Sequence, residues 1–97
     1  MTGWLLQSRQ DPPVIFRLPA GAVKTVGRTA RADFILDAAL VSRIHCRLTA
    51  GRTNGLTVED LDSTNGVLVN GKRVRKSDLR DGDTLTIGRV DFAVSSS

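Results

Sequence analysis

Between positions 44 and 49 the chain alternates. Ile44, Cys46 and Leu48 are apolar, and His45, Arg47 and Thr49 are polar. That period of two predicts a half-buried strand, entered from a loop at Leu40-Val41-Ser42-Arg43. The same pattern recurs along the chain. Apolar or β-branched runs predict strands over residues 3–8, 14–18, 23–27, 34–36, 56–61, 67–69, 72–74, 84–87 and 90–94. Turn residues separate them: Asp11-Pro12-Pro13, Pro19-Ala20-Gly21, Asn54-Gly55 with its positive φ, the Asn70-Gly71 hairpin, and Asp81-Gly82-Asp83. Residues 77–79 read as one turn of helix and 95–97 as a frayed end or the start of a linker. About ten short strands with turns between them predict an all-β antiparallel sandwich or barrel. Thr25-Val26-Gly27-Arg28 and Thr86-Ile87-Gly88-Arg89 read as two strands that end alike.

The 97 residues make one domain, with its core between about positions 3 and 94. The aromatic residues are Trp4, Phe16, Phe34 and Phe92, so the core rests on Leu, Ile and Val. Fourteen Lys+Arg against ten Asp+Glu leave +4, and eleven of the fourteen are Arg. Arg is the planar fork for carboxylate or phosphate, so the excess favours an anionic partner. With no run of like charge read, bulk nucleic-acid or membrane binding is not expected. One cysteine and one histidine exclude an internal disulfide and a metal cluster, and no cofactor is expected. Cys46 reads as a small buried hydrophobe in a reducing compartment. No signal peptide is expected at Met1, and no apolar run reaches the ~20 residues of a membrane span.

Polar loops at 28–33, 37–43 and 62–66 each follow a strand. In a sandwich, alternate connections cluster at one end. That brings together Arg28, Ser42, Arg43, Thr64 and Asn65: two guanidinium groups, two hydroxyls and an amide, with no carboxylate at their centre. Such a group suits a phosphate. Singly, each residue has a plainer reading, since an Arg at a strand end is usually solvated and Ser-Thr-Asn-Gly usually turns the chain. Ser42 and His45 do not read as nucleophile and base. They stand three apart at a loop–strand junction with no third group to orient the base, so no enzyme is expected.

The order Gly27-Arg28, Ser42-Arg43-Ile44-His45, Ser63-Thr64-Asn65-Gly66 and Asn70-Gly71 resembles the forkhead-associated (FHA) domain signature. The resemblance extends to Phe34-Ile35-Leu36-Asp37, Asp81-Gly82-Asp83 and Ile87-Gly88, and runs from about Gly21 to Val94. It implies a β-sandwich of about eleven strands whose end loops bind phosphothreonine peptides. It implies that Arg28 and the Ser42 hydroxyl hold the phosphate. Arg43 would contribute its backbone N–H and turn its side chain to the peptide, favouring acidic sequences. Thr64 would bound the phosphothreonine pocket and Asn65 would bond the peptide backbone. Gly27, His45 and Gly66 would support the site, with His45 bracing the Ser42 loop. The implied partner is a phosphothreonine-containing protein, such as a Ser/Thr kinase or its substrate, met by a monomeric module of a longer chain. The implied compartment is the cytoplasm, with the nucleus as the alternative. A phosphate-independent scaffold is the alternative function. A nucleic-acid binder would need exposed stacking aromatics.

Overall fold

The computed structural model describes residues 3–52 and 55–96. Among them eleven strands form: β1 (Gly3–Ser8), β2 (Ile15–Pro19), β3 (Val23–Gly27), β4 (Phe34–Ile35), β5 (Cys46–Ala50), β6 (Leu56–Asp60), β7 (Val67–Val69), β8 (Lys72–Val74), β9 (Lys76–Leu79), β10 (Thr84–Ile87) and β11 (Val90–Ser96). They lie in two sheets, ordered β2-β1-β11-β10-β7-β8 and β4-β3-β5-β6-β9. All pairings are antiparallel except β3–β4, which is parallel.

Alternation along the strands sends one face of each sheet inward. Leu6, Leu18, Val26, Leu48, Val58, Leu85, Ile87, Phe92 and Val94 meet there in one core. Phe16 stacks on Phe34 at 4.6 Å between ring centroids and on Phe92 at 5.2 Å. Each fully buried large side chain contributes about 1.5–3 kcal/mol. Cys46 is completely enclosed, and burial, helped by the charge of Asp60, pushes its thiol up to about 12.

The parallel pair has a local cause. Thr25 donates its N–H to Asp33 Oδ2 at 2.9 Å, and Asp33 returns its own N–H to Thr25 Oγ1 at 3.0 Å. This clamp brings the chain back beside the middle of β3, so β4 sets off in the same direction. The clamp also holds the Asp33 carboxyl below the ordinary carboxylate range, mainly through the Thr25 N–H.

Three local expectations change. Residues 77–79 belong to strand β9, not to a helical turn. The edge of β6 captures them, pairing Leu56 with Leu79 and Val58 with Ser77, and this buries Leu79. A long-range ladder there outweighs a weak local propensity. Ser95 and Ser96 are not frayed, because β1 extends far enough to pair Leu5 with Ser95 and Trp4 with Ser96; Ser97 lies outside the described residues. The strand expected from residue 44 starts at Cys46, and His45 is fully buried instead of facing out. Asn54, expected to form the β5–β6 turn, lies outside the described residues. The mouth of that turn is closed by the Gly51 N–H, which donates to the Gly55 carbonyl at 2.8 Å.

Candidate functional site

The loop between β4 and β5 is folded tightly on itself and its neighbours. Val41 is buried and anchors it. The Val41 N–H donates to the Ala38 carbonyl at 3.4 Å, and Leu40 takes a φ of 70°, a left-handed conformation uncommon for Leu. Two glycines press on this loop from either side. A Cβ on Gly27 would overlap the Arg43 carbonyl oxygen and come within 2.9 Å of the Ile44 Cα. A Cβ on Gly88 would lie 3.1 Å from the Leu40 carbonyl oxygen. The two Gly-Arg pairs thus have a shared spatial role: each strand end lets a backbone approach the same loop.

Arg28 is fixed at two points in this arrangement. Its N–H donates to the Ser42 carbonyl at 2.9 Å, and its Nε–H donates to the Val41 carbonyl at 2.9 Å. The two terminal nitrogens of the guanidinium have no acceptor among the described residues, where the only ion pair is Arg47–Glu59 at 3.0 Å. The anchored Nε aims an unneutralised fork outward.

Ser42 has an equally defined set of bonds. Its Oγ accepts the Thr64 N–H at 3.1 Å, so the hydroxyl proton is left to donate. Its N–H donates to His45 Nδ1 at 3.0 Å. The His45 Nε2–H donates to the Gly66 carbonyl at 2.7 Å. An acceptor at Nδ1 and a donor at Nε2 specify the neutral imidazole. His45 also bonds through its backbone, giving its N–H to Val26 at 2.8 Å and receiving the Leu61 N–H at 3.0 Å. One buried residue therefore ties β3, the Ser42 loop and both ends of the β6–β7 loop.

The β6–β7 loop is built on Asp60, whose Oδ1 accepts both the N–H and the hydroxyl of Ser63; Ser63 Oγ accepts the Gly66 N–H at 2.9 Å. Gly66 sits at φ +81°, where a side chain would be strained. Thr64 and Asn65 are left exposed on the rim. Asn65 Nδ2 donates to the Leu40 carbonyl at 3.1 Å, leaving Oδ1 open.

The result is an open pocket of about 520 Å³ lined by Arg28, residues 37–42, Thr64 and Asn65. Of the sequence-predicted residues, Arg28, Ser42, Thr64 and Asn65 line it together, with Gly27, His45 and Gly66 buried around it. Arg43 does not line it. Its carbonyl is turned toward Gly27 and accepts the Thr29 hydroxyl at 3.3 Å, and its N–H has no acceptor among the described residues. Asp37 brings a carboxylate to the lining, which the reading of a carboxylate-free centre left out. Leu40 was also missed; only its place before Ser42 hinted at it. Asn70 and Gly71 lie elsewhere, at the far end of β7. There Asn70 Nδ2 donates to Asp83 Oδ1 at 3.0 Å and helps hold that carboxyl below its ordinary range.

Comparison with known proteins fits this geometry. The family model described as the FHA domain matches residues 24–88, spanning every loop that lines the pocket. The chain belongs to the FHA-domain family. The ABC transporter ATP-binding/permease protein Rv1747 of Mycobacterium tuberculosis is 42% identical over 75 residues, which are 77% of this chain and 8% of that protein. An FHA domain solved in a structural and functional analysis of phosphothreonine-dependent interactions superposes with a TM-score of 0.87. It is 30% identical, with 96% of this chain and 95% of that one covered. Mycobacterium tuberculosis EmbR, solved with a low-affinity phosphopeptide, gives a TM-score of 0.83 at 30% identity; 96% of this chain matches 24% of EmbR. The chain thus spans a small part of the full-length relatives it matches. FHA homologues bind phosphothreonine peptides, and FHA domains are interaction modules.

Proposed function

We propose that this FHA domain is a phosphothreonine-dependent peptide- and protein-binding module acting in Ser/Thr-kinase signalling. The observation that carries the reading is the pairing of Arg28 and Ser42 on one pocket wall. Arg28 uses Nε for the fold and keeps its outer fork, and Ser42 has its Oγ lone pair occupied and keeps its proton. Both groups are left as donors, and they converge on one volume. Phosphothreonine brings about −1.5 to −2 charges and three acceptor oxygens. Each hydrogen bond to a charged group contributes about 1.5–3 kcal/mol, so two or three make binding depend on the phosphate.

The rest of the rim fits a peptide. The open Asn65 Oδ1 accepts a peptide N–H, the Arg43 N–H donates to the phosphate, and Thr64 bounds the pocket around the threonine methyl. The Arg43 side chain faces the peptide and favours acidic residues. Gly27, His45 and Gly66 hold these groups in register. The partner is a phosphothreonine-bearing protein, a Ser/Thr kinase or its substrate, met in the cytoplasm by a single monomeric domain of a longer chain. An oriented phosphothreonine library with unphosphorylated controls tests this on wild type and Arg28→Ala. Phosphorylated pools are retained by wild type and lost by the variant; equal retention of both pools by both proteins overturns the reading.

A further inference from the structure

Lys72-Arg73-Val74-Arg75-Lys76 places four cations in five residues, a run of like charge that the sequence reading passed over. All four cations are exposed, and none has a carboxylate within ion-pair distance among the described residues. The run follows the margin of the sandwich. β8 is the outer strand of one sheet, β9 the outer strand of the other, and Arg75 joins them. Charges on edge strands discourage pairing with other chains, which accounts for Lys72. Lys76 sits opposite Glu59, which is itself paired with Arg47.

Arg73 and Arg75 are held differently. Val74 pairs with Val67, so the end of β8 reaches the binding-loop end of the molecule beside Gly66. The Arg73 guanidinium covers Gly66: a Cβ placed there would lie 2.5 Å from Nε and 2.8 Å from Cζ. The Arg75 carbonyl accepts the Asp60 N–H at 2.7 Å, and Asp60 carries Ser63. The Arg73 side chain and the Arg75 backbone thus attach to the two feet of the loop that presents Thr64 and Asn65. Neither guanidinium is in an ion pair with a carboxylate among the described residues. Asp60 is occupied by Ser63, and the exposed Asp62 makes no ion pair.

We propose that Arg73 and Arg75 form a second anionic subsite beside the Thr64–Asn65 rim, for a carboxylate or second phosphate on the same peptide whose phosphothreonine occupies the Arg28–Ser42 pocket. This inference rests on the function proposed above. Guanidinium forks match both anions in a planar, two-bond geometry. Exposed pairs are individually weak and screened by salt, so the subsite adjusts affinity and does not create it.

The test titrates a phosphothreonine peptide with neutral flanks against a series carrying an aspartate pair, or a phosphoserine, progressively further away on each side. Wild type, Arg73→Gln/Arg75→Gln and Arg43→Gln are compared at low and high salt. At one flank position wild type favours the anionic peptide about three- to tenfold at low salt. At that position the ratio falls to about one in the Arg73/Arg75 variant and persists in Arg43→Gln, whose own loss of acidic preference falls at a different flank position. The aspartate and phosphoserine arms identify which anion is taken. A ratio that survives in the Arg73/Arg75 variant, or is lost only in Arg43→Gln, overturns the subsite while leaving phosphothreonine binding standing. So does an oligonucleotide bound through Arg73 and Arg75 with no anionic gain on peptides. If the neutral-flank peptide itself fails to bind wild type, the functional reading falls, and the subsite with it.

Discussion

His45 donates from Nε2 to the carbonyl of Gly66 at 2.7 Å, across twenty-one positions of sequence and inside the buried end of the sandwich. The other ring nitrogen accepts the Ser42 N–H. A single side chain therefore sets the distance between the loop bearing Ser42 and the loop bearing Thr64 and Asn65. His45→Ala leaves the Gly66 carbonyl without its partner, and a fully buried ring becomes a void. The expected loss is about 2–4 kcal/mol in urea unfolding, with phosphopeptide affinity down by at least about tenfold in protein still folded. Unchanged affinity in the folded variant would show that the ring does not position Ser42.

Gly27 and Gly71 make a matched pair of tests. Alanine at Gly27 drives its Cβ into the Arg43 backbone, so the Ser42 loop must shift. A stability loss of about 1–3 kcal/mol and a clear loss of peptide binding are expected. Alanine at Gly71 meets no neighbour within 4 Å but must hold φ +83°. It costs about 1–2 kcal/mol at the far hairpin, with binding retained. Thermal unfolding and titration of both variants separate damage to the site from damage to the fold.

Cys46 makes stability sensitive to alkali. Its thiol ionises from 9.0 in the unfolded chain and is pushed up to about 12 when buried. The raised group contributes stability fully below 9.0, and that contribution is lost as pH rises through about 12. By about pH 10.5 the loss is near 2 kcal/mol. The fall in stability between about pH 7.5 and 10.5 should be smaller in Cys46→Ala than in wild type, whatever the variant's starting stability. Parallel curves would mean that the thiol ionises equally in both states.

In the proposed complex, discrimination between phosphothreonine and phosphoserine would turn on one methyl group against the Thr64 rim. A pocket for one methyl is worth about 1–3 kcal/mol, or roughly 10–200-fold. Matched peptides differing only in that residue should show phosphothreonine preferred within that range. Equal affinities would remove Thr64 from its assigned place.

Much of the sandwich was legible because alternation survives wherever one face of a strand is buried. Residues 3–8, 23–27, 67–69 and 84–87 form strands over those spans. What local pattern does not encode is which edge is open. β9 exists because β6 offers an unpaired edge to Leu79, and β11 lengthens because β1 reaches Ser96. His45 broke the alternation because its polar atoms are satisfied inside, which the period of two does not announce; its bracing role was implied only by the family resemblance. At the site, residue order brought Arg28, Ser42, Thr64 and Asn65 into view together. Asp37 and Leu40 depend on a loop conformation with Leu at φ 70°, and the attachment of Arg73 to Gly66 depends on the β7–β8 register.

The most direct measurement is a calorimetric titration of one library-selected peptide, phosphorylated and unphosphorylated, into wild type, Arg28→Lys and Ser42→Ala. Lysine keeps the charge of Arg28 but cannot both anchor to the Val41 carbonyl and present a fork. Wild type should bind only the phosphorylated form, with each variant weaker by about tenfold or more. Binding of the unphosphorylated peptide by wild type, or undiminished binding of the phosphorylated one by both variants, would contradict the account.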